Sequence, residues 1–240
     1  MGAAMAALAV AFAIAHPRLI AADPAPSSTP FSAAQMVQAA RNGRAEWQDF
    51  PGFRADVVVS DGGRMARGKI VVSASGDVES NLSEAKDFDW VRKRIRSLVS
   101  HRLPNVERES DVAFADGEFD HPLGRRINFK NDDQDTVYRV QGDVLTEVQR
   151  TMGKTRFVLS VIEVSRNTEG KHLPRSYTVG YWDKELNKLA HSDTFYYEWI
   201  RVGKFDLPRR QLVIAVADGQ HTVQEIEFFN VELLDSVAAR

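Results

Sequence analysis

From residue 111 to residue 234 the chain is a succession of apolar runs separated by turn formers only a few residues long. The strand-like runs are 111–115, 124–130, 136–142, 144–150, 155–166, 175–183, 189–202, 207–217 and 221–234. Between them lie Asp116-Gly117, Asn131-Asp132-Asp133, Gly142-Asp143, Gly153-Lys154, Glu169-Gly170, Asn187, Gly203-Lys204 and Asp218-Gly219. Asn, Asp and Gly tolerate the left-handed backbone of tight turns, so each separator marks a reversal. Gaps this short join antiparallel neighbours, because a parallel connection needs a crossover of a dozen residues or more. No spacing suits a strand-helix-strand unit, so a meander is expected.

The first half reads differently. Residues 31–47 carry Met36, Val37, Ala40 and Trp47 at helical spacing behind a capping Ser32, with Asn42-Gly43 weakening the second half. Pro51-Gly52 breaks that pattern, and strands follow at 53–60, 67–73 and 78–82 with turns at Asp61-Gly62-Gly63 and Ser75-Gly76-Asp77. Residues 84–103 form a second helix, with Phe88, Val91, Ile95, Leu98, Val99 and Arg102 three or four apart. Asp87 and Asp89 at its start and His101 and Arg102 at its end complement the helix dipole, and Pro104 stops it. Eleven to twelve strands in one sheet must curl. The fold class expected is α+β: one large, strongly curved antiparallel sheet with both helices packed on its concave face. Residues 32–235 form a single domain.

The N-terminus belongs to targeting. Met5–Ala15 is an apolar run too short to cross a bilayer, which takes about 20 residues. It suits a signal-peptide core, with Ala13-Ile14-Ala15 and Ala21-Ala22 as cleavage patterns, although no Lys or Arg precedes it. Residues 1–22 are read as a signal peptide and 23–31 as a Pro/Ser-rich linker. The expected destination is the periplasm or the exterior.

Signals for chemistry are sparse. The 240 residues contain no cysteine, which excludes disulfides, thiolate metal sites and a Cys nucleophile. The formal charge of −2 gives no strong field that points to nucleic acid or to a lipid headgroup. His16, His101, His121, His172, His191 and His221 show no metal-ligand spacing, and no phosphate loop, dinucleotide fingerprint or nucleophile elbow is present. No cofactor is expected. Asp120-His121 before Pro122 reads as a turn, and Asn131–Asp135 as a solvated hairpin rather than a calcium loop. Arg92-Lys93-Arg94-Ile95-Arg96 reads as a solvated helix face.

The late strands are apolar on both faces. Phe157, Leu159 and Val161 oppose Val158, Ile162 and Val164; Phe195, Tyr197 and Trp199 oppose Tyr196 and Ile200; Ile226 and Phe228 oppose Phe229, Val231 and Leu233. An antiparallel sheet with one wet face alternates more cleanly. Either helices cover the second face or it lines an apolar cavity. Core packing explains these aromatics without any ligand. As a binding surface, the candidates are Phe157, Leu159, Phe195, Tyr197, Trp199 and Phe228.

Several stretches resemble the bacterial family termed domain of unknown function 3386: Phe50-Pro51-Gly52-Phe53-Arg54-Ala55-Asp56, Gly68-Lys69-Ile70-Val71-Val72, His101-Arg102, Tyr138-Arg139-Val140 with Gly142-Asp143, Arg156-Phe157-Val158-Leu159, Leu173-Pro174-Arg175-Ser176-Tyr177 and Gly203-Lys204-Phe205-Asp206-Leu207-Pro208. The likeness spans residues 33–234 and implies no activity. The order helix, hairpin, helix, meander is also similar to LolA-like periplasmic lipoprotein carriers, an analogy of fold alone. The expected function is an exported, non-enzymatic binding protein for a lipid or other apolar small molecule, with the helix at 84–103 as lid. The alternatives are an enzyme built from dispersed residues such as His101, His191 and Asp193, or a module that pairs its sheet edge with a partner chain.

Overall fold

The computed structural model describes residues 31–83, 88–104, 111–115, 117 and 120–235. The expected signal peptide and residues 23–30 of the linker, together with Asp87 and Asp116, lie outside the described residues.

Helix α1 is Ala33–Asn42. Ser32 Oγ accepts a hydrogen bond from the Gln35 amide at 3.2 Å, and the Gln35 side chain accepts one from the Ser32 amide at 2.8 Å. This reciprocal cap satisfies two amides that have no partner inside the helix. The helix ends five residues short of the expected Trp47. Residue Arg44 instead pairs in a parallel bridge with His172, and a Cβ at Gly43 would lie 2.6 Å from the Asp143 carbonyl and 2.9 Å from the His172 ring. Residues 43–51 are therefore a connector threaded against the sheet, and Trp47 joins a different core from the helix before it.

The strands are β1 (Gly52–Asp61), β2 (Arg64–Ser73), β3 (Val78–Leu82), β4 (Val112–Phe114), β5 (Arg125–Phe129), β6 (Val137–Gln141), β7 (Val144–Met152), β8 (Thr155–Arg166), β9 (His172–Asp183), β10 (Lys188–Val202), β11 (Phe205–Ala217) and β12 (Gln220–Leu233). They make one open, curved, antiparallel sheet in the order β3-β2-β1-β12-β11-β10-β9-β8-β7-β6-β5-β4. The last strand returns to the first, so the edges are β3 and β4. Helix α2, Asp89–Ser100, lies between those two strands in the chain and joins one edge to the other.

Side chains of directly paired residues share a face, so the register follows one face through the sheet. Val57 pairs with Phe228, Ile226 with Gln211, and Gln211 with Tyr197. Asp193, on the same face as Tyr197, pairs with Val179, Val179 with Leu159, and Leu159 with Val148. Val148 pairs with Tyr138, Tyr138 with Ile127, and Ile127 with Phe114. This single face carries both cores. Val91, Ile95, Leu98 and Val99 of α2 join the first, with β1, β2 and β9–β12. Ala33, Val37 and Ala40 of α1 join the second, with Ile127 and Val140.

Three readings change at the level of faces. Asn230 takes φ 49°, and the β1–β12 register shifts beside it, so Val231 and Leu233 pack with Phe228 instead of opposing it. Among the described residues no helix packs on the second face of the late strands, where Ile162, Tyr196, Ile200, Val216 and Phe229 are exposed. The basic run on α2 is not wholly solvated. Arg92 and Arg96 pair outward with Asp89 and Asp77, while Arg94 turns in to the buried Asp193.

Candidate functional site

Under and beside α2 the helix-bearing face carries a row of stacked rings. Tyr177 and Phe195 are 4.6 Å apart between centroids, Tyr197 and Trp199 5.4 Å, and Tyr181 lies 4.0 Å from the His191 ring. Strand alternation makes this row: residues 193, 195, 197 and 199 share a face and meet 177, 179 and 181 of β9. The polar atoms of Tyr177, Tyr197 and Trp199 have partners. The Tyr177 and Tyr197 hydroxyls are 3.1 Å apart, Gln211 Nε2 donates to the Tyr197 hydroxyl at 2.9 Å, and Trp199 Nε1 donates to the Pro174 carbonyl at 2.8 Å. Burial pushes both phenols above their ordinary range, so they stay protonated. Two cations lie over the row, Arg94 of α2 at 5.2 Å from the Phe195 centroid and Arg102, just past the end of α2, at 5.8 Å from Trp199.

The six sequence candidates divide here. Phe195, Tyr197 and Phe228 are buried in the α2 core, while Phe157, Leu159 and Trp199 are half-buried at its margin. Next to Leu159, Val148 of β7 is half-buried and belongs to neither core. Val148, Leu159 and Phe157 thus mark an apolar seam between the α1 and α2 regions.

At the seam Arg150 pairs with Phe157 across β7 and β8, and Arg150 also lines a cavity of about 1100 Å³. None of the six sequence candidates lines that cavity. Its walls come from the end of α1, the connector after it, the residue that follows α2, β6, β7, the β8–β9 turn and the β10–β11 hairpin. Six are cationic (Arg41, Arg44, Arg150, Lys171, Arg201 and Lys204) and three are carboxylates (Glu46, Glu169 and Asp206). Arg201 is held by Glu169 and, at 3.0 Å, by Asp206. Arg44 lies 3.4 Å from Glu46 and donates to the His101 carbonyl at 3.0 Å. Arg150 donates to the Tyr138 hydroxyl at 2.8 Å, and Lys171 to the Asn42 carbonyl at 2.5 Å.

Burial holds the Arg102 guanidinium down to about 10, and the charge of Arg44 adds to the effect. His101 is pushed below its usual value by burial and then by Arg102, Arg44 and Arg150. Sequence reading missed this site because its cations come from four separate stretches, around residues 41–44, 150, 171 and 201–204. A faint signal was present: Arg44, Lys171 and Lys204 each directly follow a glycine at a chain reversal, Gly43, Gly170 and Gly203.

The dispersed enzyme site does not assemble. Asp193 is engaged by Arg94 at 3.3 Å, His191 stacks on Tyr181, and His101 lines the cavity. No hydrogen bond or ion pair joins these three residues. His121 accepts the Leu123 amide at 3.1 Å in a turn, and Asp132 accepts the Thr136 amide at 2.7 Å in the β5–β6 loop. Among the described residues no cluster of His, Asp and Glu could hold a metal ion, and no helix is long and apolar enough to cross a membrane.

No curated protein matches the sequence. Among solved structures, a LolA superfamily protein from Nitrosomonas europaea is similar at 11% identity, covering 86% of this chain and 95% of that chain with a TM-score of 0.39. The family described as "Protein of unknown function (DUF3386)" matches over residues 28–234, nearly the whole chain. This protein therefore belongs to the DUF3386 family.

Proposed function

We propose that this protein is an exported, non-catalytic binding protein that seats a lipid or other apolar ligand on the helix-bearing face of its sheet. The observation that carries the reading is the seam between the two cores. Val148, Leu159 and Phe157 present adjoining apolar side chains that neither helix fully buries. Ordinary packing would close such a seam, because each buried methylene is worth about 0.8 kcal/mol. An acyl chain laid along it gains the same term.

In this reading Phe157 and Leu159 are the accessible bed. Phe195, Tyr197, Trp199 and Phe228 lie under or beside α2 and extend the bed when that helix lifts as a lid. Residues 1–22 serve as the export signal, 23–31 as a linker and 32–235 as the working domain.

A fluorescence titration with cis-parinaric acid, whose emission rises in apolar surroundings, tests this. The protein is expected to bind saturably, and Leu159→Asp to lose binding while its circular dichroism stays unchanged. Equal binding by Leu159→Asp and by Val148→Asp would contradict the seam as the bed.

A further inference from the structure

We infer that the cationic cavity beside the seam is an anion site for a phosphomonoester-class group, held chiefly by Arg150 and Lys171 with Arg44 beside them. The inference rests on the binding reading only in making this group the head of the same ligand; the site itself is argued independently.

The first argument is charge segregation. The whole chain has a formal charge of −2, yet the described residues that line this cavity are six cationic and three acidic, a surplus of positive charge that remains when Asp49 beside Lys204 is included. Like charges gathered against the sign of the whole molecule repel one another, and a bound anion relieves that repulsion. The second argument is which cations are free to serve. Arg201 is neutralised by two carboxylates, Lys204 lies 3.4 Å from Asp49, and Arg44 lies 3.4 Å from Glu46 but keeps a buried Nε without a partner. By contrast Arg150 bonds to the Tyr138 hydroxyl and lies over its ring, with Asp132 acting on it only through space, and Lys171 bonds to a backbone carbonyl; neither makes an ion pair with a carboxylate among the described residues. The Nε atoms of Arg44 and Arg150 are buried without a hydrogen-bond partner, as is the indole N–H of Trp47, another lining residue that is 2% exposed.

The ligand class follows from the donor set. Guanidinium forks match paired oxygens of a phosphate, and an ammonium adds a point charge. The surplus of positive charge exceeds what a monoanion such as a carboxylate or phosphodiester would neutralise, which favours the more highly charged phosphomonoester. Pairing of Arg150 with Phe157 sets this head-group site at the end of the apolar seam.

Isothermal titration of the full chain at fixed ionic strength, with inorganic phosphate and with dihexanoyl phosphatidate, tests the proposal. Saturable binding of a phosphate ligand is expected, weakened about tenfold in Arg150→Gln and in Lys171→Gln, as for a lost charge-assisted hydrogen bond. Lys171 is exposed, so its variant keeps the fold even if Arg150→Gln does not. Tighter binding of phosphatidate, displaced by phosphate, assigns a lipid head group. Equal affinities for the two assign free phosphate; they retain the anion site and contradict the apolar bed. No saturable binding of either ligand overturns the inference, as does binding that is unchanged in both variants.

Discussion

The two helices cover the same face of one sheet with very different amounts of buried side chain. Around α2, twenty-three described residues form a single core that includes Trp47, Phe53, Phe88, Ile70 and Ile95. Around α1 the buried set is Ala33, Val37, Ala40, Ile127 and Val140. The periodicity is similar; the side chains are not. On α1 two alanines and one valine, Val37, are buried, whereas α2 inserts four larger aliphatic side chains, Val91, Ile95, Leu98 and Val99, and a side chain of that kind is worth about 1.5–3 kcal/mol when fully buried. The comparison teaches that one half of the sheet is a rigid platform and the other is held by an economical clasp. The seam and the cavity lie where the two meet, which is where a ligand can enter without disturbing the larger core.

The largest effect is expected in the α2 region. Ile95→Ala should lower stability by about 2–5 kcal/mol, read as a shift in the urea unfolding midpoint, because a fully buried side chain leaves a cavity. A shift below about 0.5 kcal/mol, the range of ordinary surface substitutions, would erase the difference between the halves. A smaller effect is expected at the clasp. Ser32→Ala removes one arm of the capping box and should cost about 1 kcal/mol, with faster amide exchange confined to α1 and its neighbours. Exchange that also accelerates in α2 would mean that the two halves unfold as one.

The smallest effect concerns a tie between the halves. Asp143, in the β6–β7 turn, receives a paired contact from Arg166 on β8 and lies 3.0 Å from Nε2 of His172 on β9. The hydrogen bond from Arg166, with help from His172, draws its carboxyl down to about 2 from an ordinary value near 3.8. A depressed carboxyl stabilises the fold above its unfolded value and ceases to as pH falls through the folded one. The wild type should therefore lose more stability than Asp143→Asn between about pH 4 and pH 2. The difference should be about 1 kcal/mol at most, since the pair is partly exposed and screened. Parallel acid profiles would remove the tie.

The strands were readable because period-two alternation and turn chemistry agree. Thr155–Arg166 and Val78–Leu82 have the expected bounds, and Gly153 and Gly203 adopt the positive φ that their turns require. What failed depends on partners far along the chain. The end of α1 is set by His172 and Asp143, which no local pattern around Asn42-Gly43 announces. The pairing of β1 with β12 and the bulge at Asn230 decide where Val231 and Leu233 point. Arg94 looked solvated because Asp193, its partner, is 99 residues away. The cavity was invisible for the same reason, since Arg44, Arg150 and Lys171 become neighbours only through the sheet.

The most direct test of the central claim is amide hydrogen exchange of the protein with and without saturating cis-parinaric acid. The account predicts slower exchange in β7 and β8 around Val148, Phe157 and Leu159, extending to the end of α2, with little change in β2 and β3. Unchanged exchange in β7 and β8 at saturation, or slowing confined to the β2–β3 edge, would contradict it.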